Sequence, residues 1–371
     1  MVLPFFKLSP ANIPSLRRGG VRLCQIAVAS TLLLCSTNAG LAKAAARAET
    51  SPAGVVNQSN GEQWVFWVTS EGEIAYWHRA SITEGWVKKV LGGNVKVGSS
   101  PTALIYKNGM IFVYYVNTKG EIANWTYSGG IWQGRAFGGE VAENTSPSAA
   151  TNETVQHVAY INKGGEVAQF YFNGKEWLGP TAIGGIAKAH TSPAVAVWGS
   201  GETFIYYVSE SGEIANWTFS SGIWIGRTFG GHVIQNSSPS TATNAVGSVM
   251  LVSYISSTKE IQDFLWNGAT WTGPSAVGGE GRTGTSTSTM LGKSAEVLVY
   301  YVKPNEGIAS WTLSGTKWTE ETRGGKAGTG TSPSATIFSE KGYQYIFFSN
   351  SLAEISDFAF EAGSWLGPTV L

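Results

Sequence analysis

The sequence predicts an all-β fold, a seven-bladed β-propeller of four-stranded blades with about 46 residues each, and three observations carry that reading. The stretch "GEIANWTYSGGIWQGRAFGG" begins at Gly120 and returns as "GEIANWTFSSGIWIGRTFGG" at Gly212, 92 residues later. A Ser-Pro pair marks half that distance: Pro52, Pro101, Pro147, Pro193, Pro239 and Pro333 are separated by 49, 46, 46, 46 and 94 residues. The long gap hides one more mark, where "TSTST" puts Thr287 in the proline's place. Beyond the N-terminal segment, no apolar run repeats with helical period.

The elements follow in chain order. Residues 1–48 read as a signal peptide or signal anchor, and residues 49–371 as the propeller. Lys7, Arg17, Arg18 and Arg22 precede the apolar run "IAVASTLLLC", and A-x-A cleavage patterns follow at residues 42–44 and 46–48. The run is short for a membrane span, so a membrane is a partner only if the segment stays uncleaved. The expected location is the secretory pathway, secreted or lumenal.

Each of the seven units then opens with small residues, as in "SPSAATN", because the innermost strand of a propeller is crowded around the axis. An apolar strand follows, such as "FIYYV", and a Gly-centred turn leads to "EIANWT" or "EVAQFYF". A second turn leads to strand four and its tryptophan: Trp86, Trp132, Trp177, Trp224, Trp271, Trp318 and Trp365. That tryptophan either fills the widening wedge between blades or offers a ligand an aromatic platform. Units two, four and six share "IA(N/S)WT", whereas three, five and seven share a Gly-Pro at Pro180, Pro274 and Pro368, so the duplicated piece is a pair of blades. Strand exchange between the two ends stays open at this level.

Composition excludes several chemistries. Formal net charge is zero and 13% of residues are charged, so no basic footprint for nucleic acid is present. Both cysteines, Cys24 and Cys35, lie in the leader, which removes disulfides and thiol chemistry from the rest of the chain. His78, His157, His190 and His232 fall at unrelated unit positions, and Asp263 and Asp357 are the two aspartates, so no metal-ligand spacing arises and no metal or cofactor is expected. A glutamate opens strand three in six units (Glu73, Glu121, Glu166, Glu213, Glu260 and Glu354), which reads as a turn partner or rim charge rather than a catalytic group. Sequons at Asn57, Asn124, Asn152, Asn216 and Asn236 are glycosylation candidates in a eukaryotic host; the sequon at Asn144 is weakened by Pro147.

The whole pattern, "(I/V)xYY", a Gly-centred turn, a strand-four Trp, "GG" and "SP", resembles the fungal fucose-specific lectins and covers nearly all of the chain after the leader. It is also similar to bacterial seven-bladed lectins. The fungal lectins usually have six blades. The resemblance implies a sugar held between blades by an Arg of strand two, a Glu of strand three and an aromatic wall. Here the Arg position holds Trp64, Phe112, His157, Phe204, Leu251, Leu298 and Tyr345, and the Glu position Tyr76, Asn124, Gln169, Asn216, Asp263, Ser310 and Asp357. The wall survives and the clamp is missing from every unit.

Scattered substitutions suit one asymmetric site better than seven equal ones, and apolar replacements suit a small, largely apolar ligand. Trp64, Tyr76, His157 and Tyr345 are the binding candidates; no catalytic residue is identified. Three functions follow. By its general look the chain is similar to fungal hetero-Diels–Alderases of tropolone–sesquiterpene metabolism, which implies a cofactor-free cyclase. The second is a secreted lectin with specificity other than fucose. The third is a structural or protein-binding propeller. The expected partner is a small molecule or glycan, and the oligomeric state is not legible.

Overall fold

The computed structural model describes residues 45–371 except Ala245 and Ala295. Seven antiparallel sheets succeed one another along the chain, each made of four consecutive strands. The blades span residues 53–92, 102–138, 148–186, 194–232, 240–280, 288–324 and 334–370. Their first strands touch in sequence order, and that of blade seven touches that of blade one, so strand one lies nearest the axis and the ring is closed. The expected all-β propeller of seven blades is what the chain forms. Among the described residues the helical element is one 3-10 turn, Lys107–Gly109. Blades one and seven are each complete in their own strands, which settles the open question of strand exchange.

Each sheet lies between two others, and this decides the burial pattern. Strand two of blade four, Thr203–Val208, is buried along its length, whereas strand four of blade three, Trp177–Ile186, is mostly exposed. An inner strand covered on both faces has no need to alternate, which is why "TFIYYV" is nearly all apolar. The strand-four tryptophans fill the wedges. Trp177 lies 4.8 Å from Phe137 of the preceding blade, and Trp271 lies 4.9 Å from Phe229, both edge to face. The "GG" pairs answer to the same wedge. Gly93 and Gly139 have φ of 90° and 81°, and a Cβ on either would stand 2.8 Å from the hydroxyl of Tyr115 or Tyr160.

The Ser-Pro marks form a ring of hydrogen bonds. The backbone N–H of Ser51 donates to Ser100 Oγ at 2.9 Å, and Ser100, Ser146, Ser192, Ser238 and Ser286 repeat this toward the next blade at 2.8–2.9 Å. The preceding threonine holds the approach: Thr145, Thr191 and Thr285 donate from Oγ1 to a carbonyl three residues back at 2.7–3.1 Å. Strand-three glutamates serve their turns as expected. Asn117 donates from Nδ2 to Glu121 Oε2 at 2.9 Å, and Asn162 does the same to Glu166 at 3.1 Å.

A second ring joins the blades through backbone alone. Val95, Val141, Ala187, Val233, Gly281 and Ala327 each donate an N–H to the strand two–three turn of the blade before, at 2.7–2.8 Å. The seventh member is Ala46, whose N–H reaches Ala353 O of blade seven at 2.6 Å. Residues 45–48, assigned to the leader by sequence, are therefore in contact with the propeller.

Candidate functional site

The four binding candidates occupy three different wedges, and of them Trp64 and Tyr76 alone meet. Trp64 and Tyr76 stand 5.0 Å apart, ring to ring, between blades one and two. Both are nearly fully buried, at 2% and 4% exposure. They belong to an aromatic block with Phe66, Tyr127 and Trp132, in which Trp64 lies 5.3 Å from Tyr127 and 5.9 Å from Trp132. His157 is buried between blades three and four. Its Nδ1 lies 2.9 Å from Gln169 Oε1 and its Nε2 2.9 Å from Thr203 Oγ1, so both ring nitrogens are occupied. Burial pushes its pKa down to about 4, against the Gln169 hydrogen bond, so the ring is neutral at pH 7. Tyr345 is buried between blades seven and one.

Of the sequon asparagines, Asn124 and Asn216 are buried in strand three and donate from Nδ2 to Thr126 and Thr218 at 2.8 and 2.9 Å. Asn57 is also buried, its Oδ1 accepting from the N–H of Ser59 at 3.1 Å. Asn152 donates to Trp198 O at 3.0 Å. Asn236 stands exposed on a left-handed turn, φ 58°, as does Asn144 of the weakened sequon, φ 54°. Among the described residues no three His, Cys, Asp or Glu side chains gather to hold a metal ion.

One residue breaks the sevenfold pattern. The strand-three position paired with the start of strand two is Tyr127, Phe172, Phe219, Trp266, Leu313 or Phe360 in six blades. In blade one it is Arg79. Arg79 Nη2 donates to Gln63 Oε1 at 3.0 Å and reaches across to Glu361 Oε1 of blade seven at 3.1 Å. The guanidinium lies 4.8 Å from the ring centre of Trp86 and 5.5 Å from that of Tyr345. Its Nε is buried and has no acceptor among the described residues. Arg79 and Glu361 keep 11% and 16% of their side-chain surface in solvent, so the pair sits at the mouth of the wedge.

Asp357, which falls at the lectin-type Glu position, lies behind this pair. Burial raises its carboxyl to about 6, with Arg79 pulling the other way. The same burial, reinforced by Glu361, pushes the Tyr345 phenol upward. A guanidinium, carboxylates and an indole are thus assembled across two blades, although no single unit contains the set. Unit-by-unit alignment missed it because it looks for partners within one blade. The signal was present nonetheless: Arg79 is the sole charged residue at its position in the repeat.

A second feature is an open cleft of about 1100 Å3 on the face formed by the strand one–two and three–four turns, between blades one and two. Val55, Ile105 and Thr336, from three first strands, place its floor at the axial mouth, and Met110 and Tyr127 continue it outward. Asn57, Glu62 and Lys107 rim it. Glu62 Oε1 lies 2.6 Å from His78 Nε2, and the His78 ring stacks on Trp64 with centroids 3.9 Å apart. Trp64 is therefore one layer behind the cleft rather than in it.

No family model matches the chain, and no curated protein does. Solved structures do. The BP39L lectin from Burkholderia pseudomallei superposes with a TM-score of 0.75 at 16% identity, over 89% of this chain and 99% of that one. AofleA from Arthrobotrys oligospora gives 0.60 at 14% identity, over 89% and 87%. The Aleuria aurantia lectin, a six-bladed propeller with fucose recognition, gives 0.57 at 19% identity, over 74% and 94%. The resemblance to lectin propellers read from the repeat is thus a likeness of fold.

Proposed function

We propose that the protein is a carbohydrate-binding propeller with one principal site, the mouth of the wedge between blades seven and one. The observation that carries it is the Arg79–Glu361 pair beneath Trp86. A guanidinium donates to neighbouring ring hydroxyls, a carboxylate accepts from them, and an indole covers the apolar face of a sugar. The Arg79 position is apolar in the other six blades, so the site occurs once and gains nothing from repetition. The structural neighbours are lectins, one of them solved with a methyl fucoside, which agrees with the class of ligand without fixing the sugar. The test is a glycan array followed by titration of the best binder against the wild type and Arg79→Ala. A hit abolished in the variant supports the reading; no hit, or a hit that Arg79→Ala leaves intact, sinks it.

The cleft between blades one and two favours a second reading, a small and partly apolar molecule held over Val55, Ile105, Met110 and Tyr127. A cofactor-free hetero-Diels–Alder cyclisation belongs to this class, since holding a diene against an olefin is most of what it requires. Incubation with a quinone-methide precursor and a humulene-type olefin tests it. Yield and stereochemistry equal to the protein-free control dispose of the cyclase.

A further inference from the structure

Two A-x-A patterns end the N-terminal segment, and the ring of blades distinguishes between them. We infer that the chain is processed between Ala44 and Ala45, so that the mature protein begins at Ala45. The inference rests on the leader reading and is independent of what the propeller binds.

The argument starts from the sevenfold inter-blade contact. In every blade one residue ahead of the Ser-Pro mark gives its N–H to the blade before, and the residue after it gives its N–H to the end of strand two of its own blade. Lys96, Ala142, Lys188, Ile234, Arg282 and Gly328 make the second bond to Val116, Ile161, Val208, Ile255, Val302 and Ser349 at 2.8–3.0 Å. Ala46 and Arg47 are the blade-one members of both sets. Ala46 donates to Ala353 at 2.6 Å, and Arg47 to Val68 at 2.8 Å.

The surroundings agree. Ala46 is 4% exposed, in a bridge with Thr69. Ala45 O accepts from the N–H of Ser70 at 2.8 Å. Arg47 O accepts from Thr50 Oγ1 at 2.8 Å, and Arg47 Nη1 reaches Val95 O of the next connector at 2.9 Å. Six of the seven blade junctions are also covalent connections along the chain; the seventh, between blades seven and one, has no peptide link and depends on such contacts. Cleavage after Ala48 would remove Ala45, Ala46 and Arg47 from the one junction that cannot spare them. Cleavage after Ala44 removes none of these groups. Hydrolysis by a signal peptidase at that bond leaves a carboxylate on Ala44 and a new amine on Ala45, water supplying the oxygen and the protons.

The full chain should be expressed in a secretion-competent host, and the released protein read by N-terminal sequencing and intact mass after deglycosylation. A start at Ala45 is expected. A start at Glu49, or a chain retained with its leader, overturns the inference. Melting of chains begun directly at Ala45 and at Glu49 gives an independent reading, with a lower Tm expected for the shorter one. Ala46→Pro in the longer chain, which deletes the N–H given to Ala353 and also restrains the backbone at residues 45–46, should lower Tm in the same direction. Equal Tm for all three would remove the structural ground for preferring the first site.

Discussion

Ser332 donates its backbone N–H to Ser51 Oγ over 2.8 Å, and that bond closes the ring of Ser-Pro marks at the junction of blades seven and one. It is joined there by Gly54 N–H to Ser334 Oγ at 3.0 Å and by Gln58, which donates to Ile337 O and accepts from Ser339 N–H. These are the links that substitute for an exchanged strand.

Ser51→Ala should therefore loosen closure. It strips the acceptor from a half-buried N–H, at a cost of about 1–3 kcal/mol. Ser192→Ala, the same change between blades three and four, should cost a similar amount at equilibrium. The two differ in kinetics, because the chain itself tethers blades three and four. Limited proteolysis should proceed faster in Ser51→Ala than in Ser192→Ala; equal rates would mean the junction opens no more readily than any other.

At the wedge mouth, Arg79→Ala should abolish glycan binding and also lower Tm, since Glu361 loses its partner. Arg79→Lys separates the two effects. A lysine keeps the charge opposite Glu361 but lacks the planar fork. Binding should stay lost while most of the stability returns. Recovery of binding in the lysine variant would assign Arg79 to closure alone.

The fold was legible because a propeller writes its period into the chain. The spacing of Pro101, Pro147, Pro193 and Pro239 gave the blade, and small residues such as Ala149 and Ala196 gave strand one its place at the axis. The site was less legible. Trp64 and Tyr345 are odd residues at a ligand position of the repeat, but an odd residue in a wedge is filled in by its neighbours, and both are buried. Arg79 acts through Glu361, a residue 282 positions away that meets it only because the ring closes. No spacing rule within one unit reaches that far.

Stability should rise as the pH falls from about 8 toward 6.5; below that, His157, held neutral with its pKa down at about 4, opposes the trend. Burial raises Asp263 to about 7 and Asp357 to about 6, both well above the ordinary carboxylate value of 3.8. A carboxyl raised in the folded state takes its proton before the unfolded chain does, so acid favours the fold until the unfolded value is passed. For Asp263, buried and with Oδ1 lacking a partner among the described residues, the cost of ionisation at pH 8 is on the order of 4 kcal/mol. Asp263→Asn should raise Tm at pH 8 and change it little at pH 4. A Tm for the wild type that falls steadily from pH 8 to 6.5 would contradict the assignment.

The cleft and the aromatic block behind it can be told apart by two truncations. Tyr127 lines the cleft, and Trp64 supports it from behind at 5.3 Å. Trp64→Ala empties a buried wedge and should cost about 3–5 kcal/mol of stability. Tyr127 is only partly buried, so Tyr127→Ala should cost less. If a small molecule occupies the cleft, Tyr127→Ala should weaken its binding or slow its conversion while the protein stays folded at assay temperature. Trp64→Ala, assayed well below its own Tm, should keep more of the activity, because it presents no atom to the ligand. The reverse order, with Trp64→Ala inactive while folded and Tyr127→Ala unaffected, would place the ligand inside the wedge instead of over the cleft floor.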